Sequence, residues 1–177
     1  YALSKQHNVH LLSYEGDAVL TETGDDPYVE IESRINGIPV LEVPSFVDRI
    51  KTPVIKCIML GDGDYLATVE PKVKEALGQR YSVTRSEPFF LEIMPQNVDK
   101  AYALSQLAAH LGLTKEQIVA CGDGFNDRSM VEYAGLGVAM ANAQPSVKEV
   151  ADYITLSNDE DGVAQVVETF FLKSGAK

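Results

Sequence analysis

The chain has 177 residues, a hydrophobic fraction of 45% and a formal net charge of −11. The apolar content is enough for a folded core, and the length allows one domain or two small ones. The negative charge argues against nucleic acid and anionic membranes as partners, because both repel an acidic surface. No apolar run approaches the roughly 20 residues that span a bilayer. We therefore expect a cytoplasmic protein with neither of these partners.

The cysteines and histidines give no pattern of a metal site or a disulfide. Cys57 and Cys121 both lie in apolar runs that predict strands, so we expect buried thiols in a reducing compartment. His7, His10 and His110 lack the spacing of metal ligands. We interpret these three histidines as surface or packing residues.

The first half of the chain predicts an α+β domain with its own sheet. Strands are expected over residues 9–14, 19–23, 54–60, 82–85 and 89–93, and helices over about 28–36, 44–50 and 69–81. The first of these helices should end at Asn36-Gly37. The polar segment 94–100 marks the boundary, so we expect one domain over 1–94 and a second over 95–177.

The second half of the chain alternates strands with helices. Strands are expected over 118–121, 136–140 and 153–156, and helices over 99–111, about 127–134, 145–151 and 161–172. The strands are short and apolar without alternation, as strands buried on both faces are. This order predicts right-handed βαβ units and a parallel sheet. Three strands make a thin sheet, so we expect something else to pair with its open edge.

The stretch 122-GDGFND-127 follows the first of these strands. Ligands of open α/β sheets bind beyond the carboxyl ends of the strands, which is where Asp123 stands. Asp127 lies near the start of the next helix, where free N–H groups favour a carboxylate. Two carboxylates this close repel each other unless a cation lies between them. A hard cation with oxygen ligands, above all Mg²⁺, is therefore predicted here, and Mg²⁺ normally binds a phosphate as well. The alternative is that Asp123 is only a turn residue and that Asp127 only caps the helix.

Three stretches carry a resemblance to a known family. 122-GDGFND-127 resembles the fourth motif of the haloacid dehalogenase (HAD) phosphatase superfamily, and 132–167 resembles the C-terminal end of its Cof-type sugar-phosphatase branch. The stretch 89-FFLEIMPQNVDKAYAL-104 resembles the third motif of that branch, with Lys100 as its lysine. The resemblance implies an α/β fold with a partial Rossmann-like parallel core and a separate α+β cap that selects the substrate.

The resemblance also implies a mechanism and a set of roles. An aspartate attacks the phosphoryl group, a second aspartate acts as acid and base, and water hydrolyses the aspartyl-phosphate. In this chain, Asp123 would be the Mg²⁺ ligand, and Asp127 would bind the metal through water or orient Lys100. Lys100 and Asn126 would contact the phosphoryl group. The expected substrates are small phosphorylated metabolites, sugar phosphates above all.

The first motif of that family, a strand followed by D-x-D-G-[TV], does not open this chain. Asp62 and Asp64 follow an apolar run, but Tyr65-Leu66 stands in place of Gly-Thr, so we interpret them as turn residues. The stretch 159-DEDGV-163 fits every letter of the D-x-D-G-[TV] motif, yet it follows polar residues rather than an apolar strand. We therefore expect Asp159 or Asp161 to cap the last helix instead.

The missing motif predicts that the chain is the cap plus the C-terminal half of a core. Such a chain would be inactive alone and would bind Mg²⁺ weakly, and its open sheet edge would make it poorly stable or drive it to pair with another copy. A non-catalytic module that binds sugar phosphates or a partner is the alternative if 177 residues are the whole protein. A receiver-like signalling domain fits less well, because its acids precede its lysine, whereas Lys100 precedes Asp123.

Overall fold

The computed structural model describes residues 1–96 and 98–172. The chain divides into two compact units, Tyr1–Asn97 and Val98–Lys177, and the division falls in the polar segment 94–100. In the described parts of the chain, no helix is both long and apolar enough to cross a membrane.

The first unit is built on a six-stranded sheet that is mostly antiparallel. Its elements are α1 (Ala2–Gln6), β1 (His10–Glu15), β2 (Ala18–Thr21), α2 (Pro27–Asn36), β3 (Val40–Glu42), α3 (Phe46–Arg49), β4 (Cys57–Leu60), α4 (Gly63–Leu77), β5 (Tyr81–Glu87) and β6 (Phe90–Pro95). The strand order is β3-β2-β1-β4-β6-β5. Only β2 and β3 run parallel; the other neighbours are antiparallel.

Two apolar clusters pack against this sheet. Neighbouring residues Leu11 and Leu12 of β1 enter different clusters, as the two-residue period of a strand requires. Helix α4 supplies Leu66 and Val69 to the cluster of Leu11, and α2 supplies Val29 to the other. Each such side chain contributes about 1.5–3 kcal/mol when it is fully buried. The sheet is therefore stabilised on both faces.

Local capping sets the helix boundaries, including those where the sequence prediction is wrong. α4 begins at Gly63 rather than near residue 69, because the carboxylate of Asp62 accepts a hydrogen bond from the Tyr65 N–H (3.0 Å). Asp62 is thus a helix cap rather than part of a free turn. α2 ends at Asn36 as expected, and Gly37 takes the left-handed conformation (φ 66°) that glycine adopts without strain.

The second unit contains a three-stranded parallel sheet in the order β7-β8-β9. Its elements are α5 (Lys100–Leu111), β7 (Val119–Gly122), α6 (Arg128–Tyr133), β8 (Leu136–Ala139), α7 (Pro145–Lys148), β9 (Tyr153–Ile154) and α8 (Gly162–Val167). Within the described residues, β7 pairs with β8 alone, so its other edge is open. Leu107 and Leu111 of α5 are 53% and 59% exposed.

The start of α8 differs from the prediction. Asp161 takes the position before the helix, but its backbone is left-handed (φ 57°) and its side chain accepts no capping hydrogen bond. Glu160 instead closes the preceding turn by accepting from the hydroxyl of Ser157 (2.7 Å). Hydrogen bonds from the hydroxyl and the backbone N–H of Ser157 hold the pKa of the Glu160 carboxyl below its usual range. The capping predicted for Asp159 or Asp161 is therefore wrong.

Both cysteines are free and half-buried rather than fully buried. Burial raises the pKa of the Cys57 thiol and of the Cys121 thiol, so both are protonated near neutral pH. His10 contacts the carboxylate of Asp26, which also caps α2. His10 is exposed, in keeping with its interpretation as a surface or packing residue.

Glu22 ties the N-terminal helix to the sheet of the first unit. Its carboxylate accepts hydrogen bonds from the Lys5 ammonium (2.8 Å), the Phe46 N–H (2.6 Å) and the Tyr1 hydroxyl (3.0 Å). The bond from Lys5, followed by that from Phe46, holds the pKa of Glu22 below its usual range. Because the folded pKa is depressed, the stabilisation is present above the unfolded pKa of about 4.3 and is lost as the pH falls through the folded pKa.

We expect Glu22→Gln to lower the free energy of unfolding at pH 7 by about 1 kcal/mol, because the substitution removes a charged acceptor of three hydrogen bonds. The difference from the wild type should shrink at acidic pH, where Glu22 itself becomes protonated. Chemical unfolding at pH 7 and pH 3 measures both effects. Glu75→Gln, on an exposed position of α4, is the control with the same charge change. Equal destabilisation by both variants would contradict the role of Glu22.

Candidate active site

The site forms where β7 ends and the chain turns into α6. Asp123 directly follows the strand, and a 3-10 turn over Phe125–Asp127 leads into the helix. Gly122 lets this turn fold back closely, because a Cβ atom on it would stand 2.4 Å from the Cβ of Asp127. Any other residue at position 122 would push Asp127 out of its place.

Asp127 is buried, with 5% of its surface exposed, and both of its carboxylate oxygens have partners. One oxygen accepts hydrogen bonds from the N–H groups of Asp123 and Gly124, each at 3.0 Å. The other oxygen forms an ion pair with the ammonium of Lys100. The carboxylate therefore closes its own turn and holds the lysine.

Lys100 is the first residue of α5. Asp99 caps this helix by accepting from the N–H of Tyr102 (2.7 Å), so the helix begins one residue after the predicted start at 99. An ammonium has three donor hydrogens, and the Lys100 side chain is 47% exposed. The lysine can therefore contact Asp127 and an external anion at the same time, next to the free N–H groups of a helix start.

Asp123 contrasts with Asp127 because it is exposed. One of its carboxylate oxygens accepts a hydrogen bond from the side-chain amide of Asn142 (2.9 Å). Its backbone carbonyl accepts from the N–H of Gln144 (2.9 Å). Both partners lie in the loop that follows β8, so a second loop takes part in the site.

The sequence analysis missed Asn142. A signal for it was present, because 141-ANAQ-144 follows the predicted strand 136–140 as directly as 122-GDGFND-127 follows its own strand. The carboxyl ends of neighbouring parallel strands meet at one edge of the sheet. A polar residue in the second loop is therefore a candidate neighbour of Asp123.

Asn126 lies half-buried in the turn between Asp123 and Asp127. The turn thus brings all three predicted residues of the motif together, and the ion pair adds Lys100 to them. The roles of Asn126 and Lys100 toward a phosphoryl group stay predictions.

The stretch that fits the missing motif, 159-DEDGV-163, directly follows a residue that contacts the loop of Asn142. The backbone N–H of Asn158 donates a hydrogen bond to the side-chain oxygen of Asn142 (3.1 Å). The side chain of Asp159 accepts from that of Asn158 at 3.3 Å. The residue before this stretch, Asn158, therefore reaches the site through its backbone N–H group.

The donor set at Asp123 suits a hard cation. Mg²⁺ prefers oxygen ligands, keeps several water molecules, and is commonly held by one or two carboxylates. Asp123 offers an exposed carboxylate, whereas both oxygens of Asp127 already accept from protein donors. Among the residues that the structure describes, no group of three or more acidic, cysteine or histidine side chains is arranged so that it could hold a metal ion. The metal role of Asp123 fits, and that of Asp127 stays a prediction beside its observed ion pair.

The family comparison covers nearly the whole chain. Residues 1–167 match the family described as haloacid dehalogenase-like hydrolase. The crystal structure of a haloacid dehalogenase-like hydrolase from Bacteroides thetaiotaomicron is similar over 97% of this chain and 64% of its own, with a TM-score of 0.78 and 46% sequence identity.

Two further relatives carry functional names. The 5-amino-6-(5-phospho-D-ribitylamino)uracil phosphatase of Bacillus subtilis is 48% identical over 90 residues, which are 51% of this chain and 36% of that protein. The structure of a HAD subclass IIB sugar phosphatase matches with a TM-score of 0.77 and 26% identity, over 96% of this chain and 63% of its own. This chain spans less than two thirds of each of the three relatives.

Proposed function

Because the chain belongs to the haloacid dehalogenase-like hydrolase family, we propose that the whole protein containing it is a Mg²⁺-dependent phosphatase of small phosphorylated metabolites. One observation carries the proposal. At the end of a parallel strand, Asp127 is neutralised by Lys100, while Asp123 keeps an exposed carboxylate beside it. The ammonium of Lys100 can therefore bind a phosphate, and the carboxylate of Asp123 can bind the metal ion of that phosphate.

The residues of the chain take distinct parts in this reaction. Lys100 binds a phosphoryl oxygen with its free hydrogens, and Asp127 holds the ammonium in place. Asn126 donates a hydrogen bond near the phosphate. Asp123 holds Mg²⁺, which when bound neutralises charge on the nucleophile and the phosphate. The nucleophilic aspartate, which forms the aspartyl-phosphate, and its acid/base partner are none of these residues.

The relatives support the substrate class. One relative is named for a phosphate ester of a ribityl chain and another as a sugar phosphatase. We propose sugar phosphates and related phosphorylated polyols as substrates, with the unit Tyr1–Asn97 as the cap that selects them. The net charge of −11 supports a cytoplasmic protein without nucleic-acid or membrane partners.

A non-catalytic module is the second candidate function. It would use Lys100 and the start of α5 to bind a sugar phosphate or a partner without turnover. The two functions differ in one measurement, because only the phosphatase releases inorganic phosphate from a bound phosphomonoester.

We expect the whole protein to hydrolyse phosphomonoesters only with a divalent cation, because an uncompensated phosphate next to Asp123 is repelled. A panel of sugar phosphates and polyol phosphates, assayed with Mg²⁺ and with EDTA, checks this by phosphate release. Turnover that persists after chelation would remove the metal role.

We expect Asp123→Asn to cost more activity than Asp127→Asn, because the first substitution removes the proposed metal ligand itself. Both losses should reach orders of magnitude, since a charge lost at a phosphoryl-transfer site is worth several kcal/mol. Asp64→Asn, on an exposed residue of α4, is the matched control and should keep full kcat/KM. Normal turnover of Asp123→Asn would show that the metal lies elsewhere.

The chain of 177 residues alone should show no turnover, because its sequence contains no strand followed by the D-x-D-G-[TV] motif that would supply the nucleophilic aspartate. Phosphatase assays on the mass-verified chain check this together with Asp159→Asn and Asp161→Asn variants. Robust Mg²⁺-dependent turnover that disappears in either variant would identify 159-DEDGV-163 as a working nucleophile motif.

A further inference from the structure

We infer that Asn142 is a positioning residue that sets the direction of the Asp123 carboxylate; this inference rests on the proposed function. The side-chain amide of Asn142 donates to one oxygen of Asp123 at 2.9 Å. The other oxygen of Asp123 is left for a ligand. A side chain that is otherwise free to rotate in solvent thus presents one oxygen in a fixed direction.

The orientation of the Asn142 amide follows from its second partner. The backbone N–H of Asn158 donates to the Asn142 carbonyl oxygen at 3.1 Å. A flipped amide would place its NH₂ group against that N–H and its oxygen against the Asp123 carboxylate, and both contacts would repel. The two hydrogen bonds therefore require the same orientation of the amide, with its NH₂ group toward Asp123.

The backbone around Asn142 is fixed to the same turn. The N–H of Met140 donates to the carbonyl of Gly122 at 3.0 Å, and the N–H of Gln144 donates to the carbonyl of Asp123 at 2.9 Å. These bonds lie on either side of Asn142 in the sequence. The amide of Asn142 is thus held at its distance from Asp123 by the main chain as well as by its own hydrogen bonds.

The chemistry of the donor distinguishes Asn142 from Lys100. A neutral amide orients a carboxylate without cancelling its charge, whereas the ammonium of Lys100 neutralises Asp127. Asp123 therefore keeps its full negative charge for a cation. Partners that orient a metal-binding carboxylate commonly change metal affinity or activity by 10–100-fold when they are removed.

The test compares three variants of the whole protein with the wild type. Asn142→Ala removes the amide donor and should weaken Mg²⁺ binding, measured by calorimetry, by about tenfold, with little change in the KM for a phosphomonoester at saturating Mg²⁺. Asn158→Pro removes the N–H that holds Asn142 together with the Asn158 side chain, at the first position of a 3-10 turn where proline is tolerated. It should show a smaller loss in the same direction. Asn158→Ala keeps this N–H and should bind Mg²⁺ like the wild type.

A metal-free readout separates the inference from the proposed function. The side-chain amide signal of Asn142 in ¹H–¹⁵N spectra, identified by its loss in Asn142→Ala, should shift in Asp123→Asn and in Asn158→Pro but not in Asn158→Ala. An Asn142 signal that ignores Asp123→Asn would overturn the inference, as would unchanged Mg²⁺ affinity in Asn142→Ala. If the wild type binds Mg²⁺ no better than Asp123→Asn does, the proposed function fails, and the amide signal still decides whether Asn142 holds the carboxylate.

Discussion

The buried carboxylate of Asp127 is the interaction on which the site depends. It accepts two N–H groups of its own turn and pairs with Lys100 from a distant helix. A buried carboxylate without such partners costs several kcal/mol, so the turn, the acid and the lysine require one another. Gly122 belongs to the same constraint, because only a residue without a Cβ atom leaves room for Asp127.

The two acids of the motif are therefore not equivalent, although they lie four residues apart. Both carboxylate oxygens of Asp127 accept hydrogen bonds from protein donors, and its charge is balanced by Lys100. Asp123 stays exposed and is oriented by a neutral amide. This division gives the site a fixed cation next to a free carboxylate, which is the charge pattern that a metal-bound phosphate needs.

The fold class and most elements follow from local sequence patterns. The apolar runs without alternation predict the parallel strands β7, β8 and β9, which the structure contains. The helix predicted over 99–111 is α5, and Asp99 and Gly112 cap its two ends, because capping depends on residues within one turn. Where the prediction is wrong, a competing cap decides: Asp62 starts α4 early. At the start of α8, a left-handed backbone at Asp161 removes its expected capping bond.

The sequence by itself determined the chemistry at the end of β7, because 122-GDGFND-127 carries its two acids and its glycines within one turn. It also identified Lys100 through a resemblance, and the structure places that lysine on Asp127. Only the tertiary structure decided that Asn142 reaches Asp123 and that the backbone of Asn158 reaches Asn142. Local patterns depend on neighbours in the chain, whereas these contacts depend on the strand order β7-β8-β9, which brings three separate loops to one edge of the sheet.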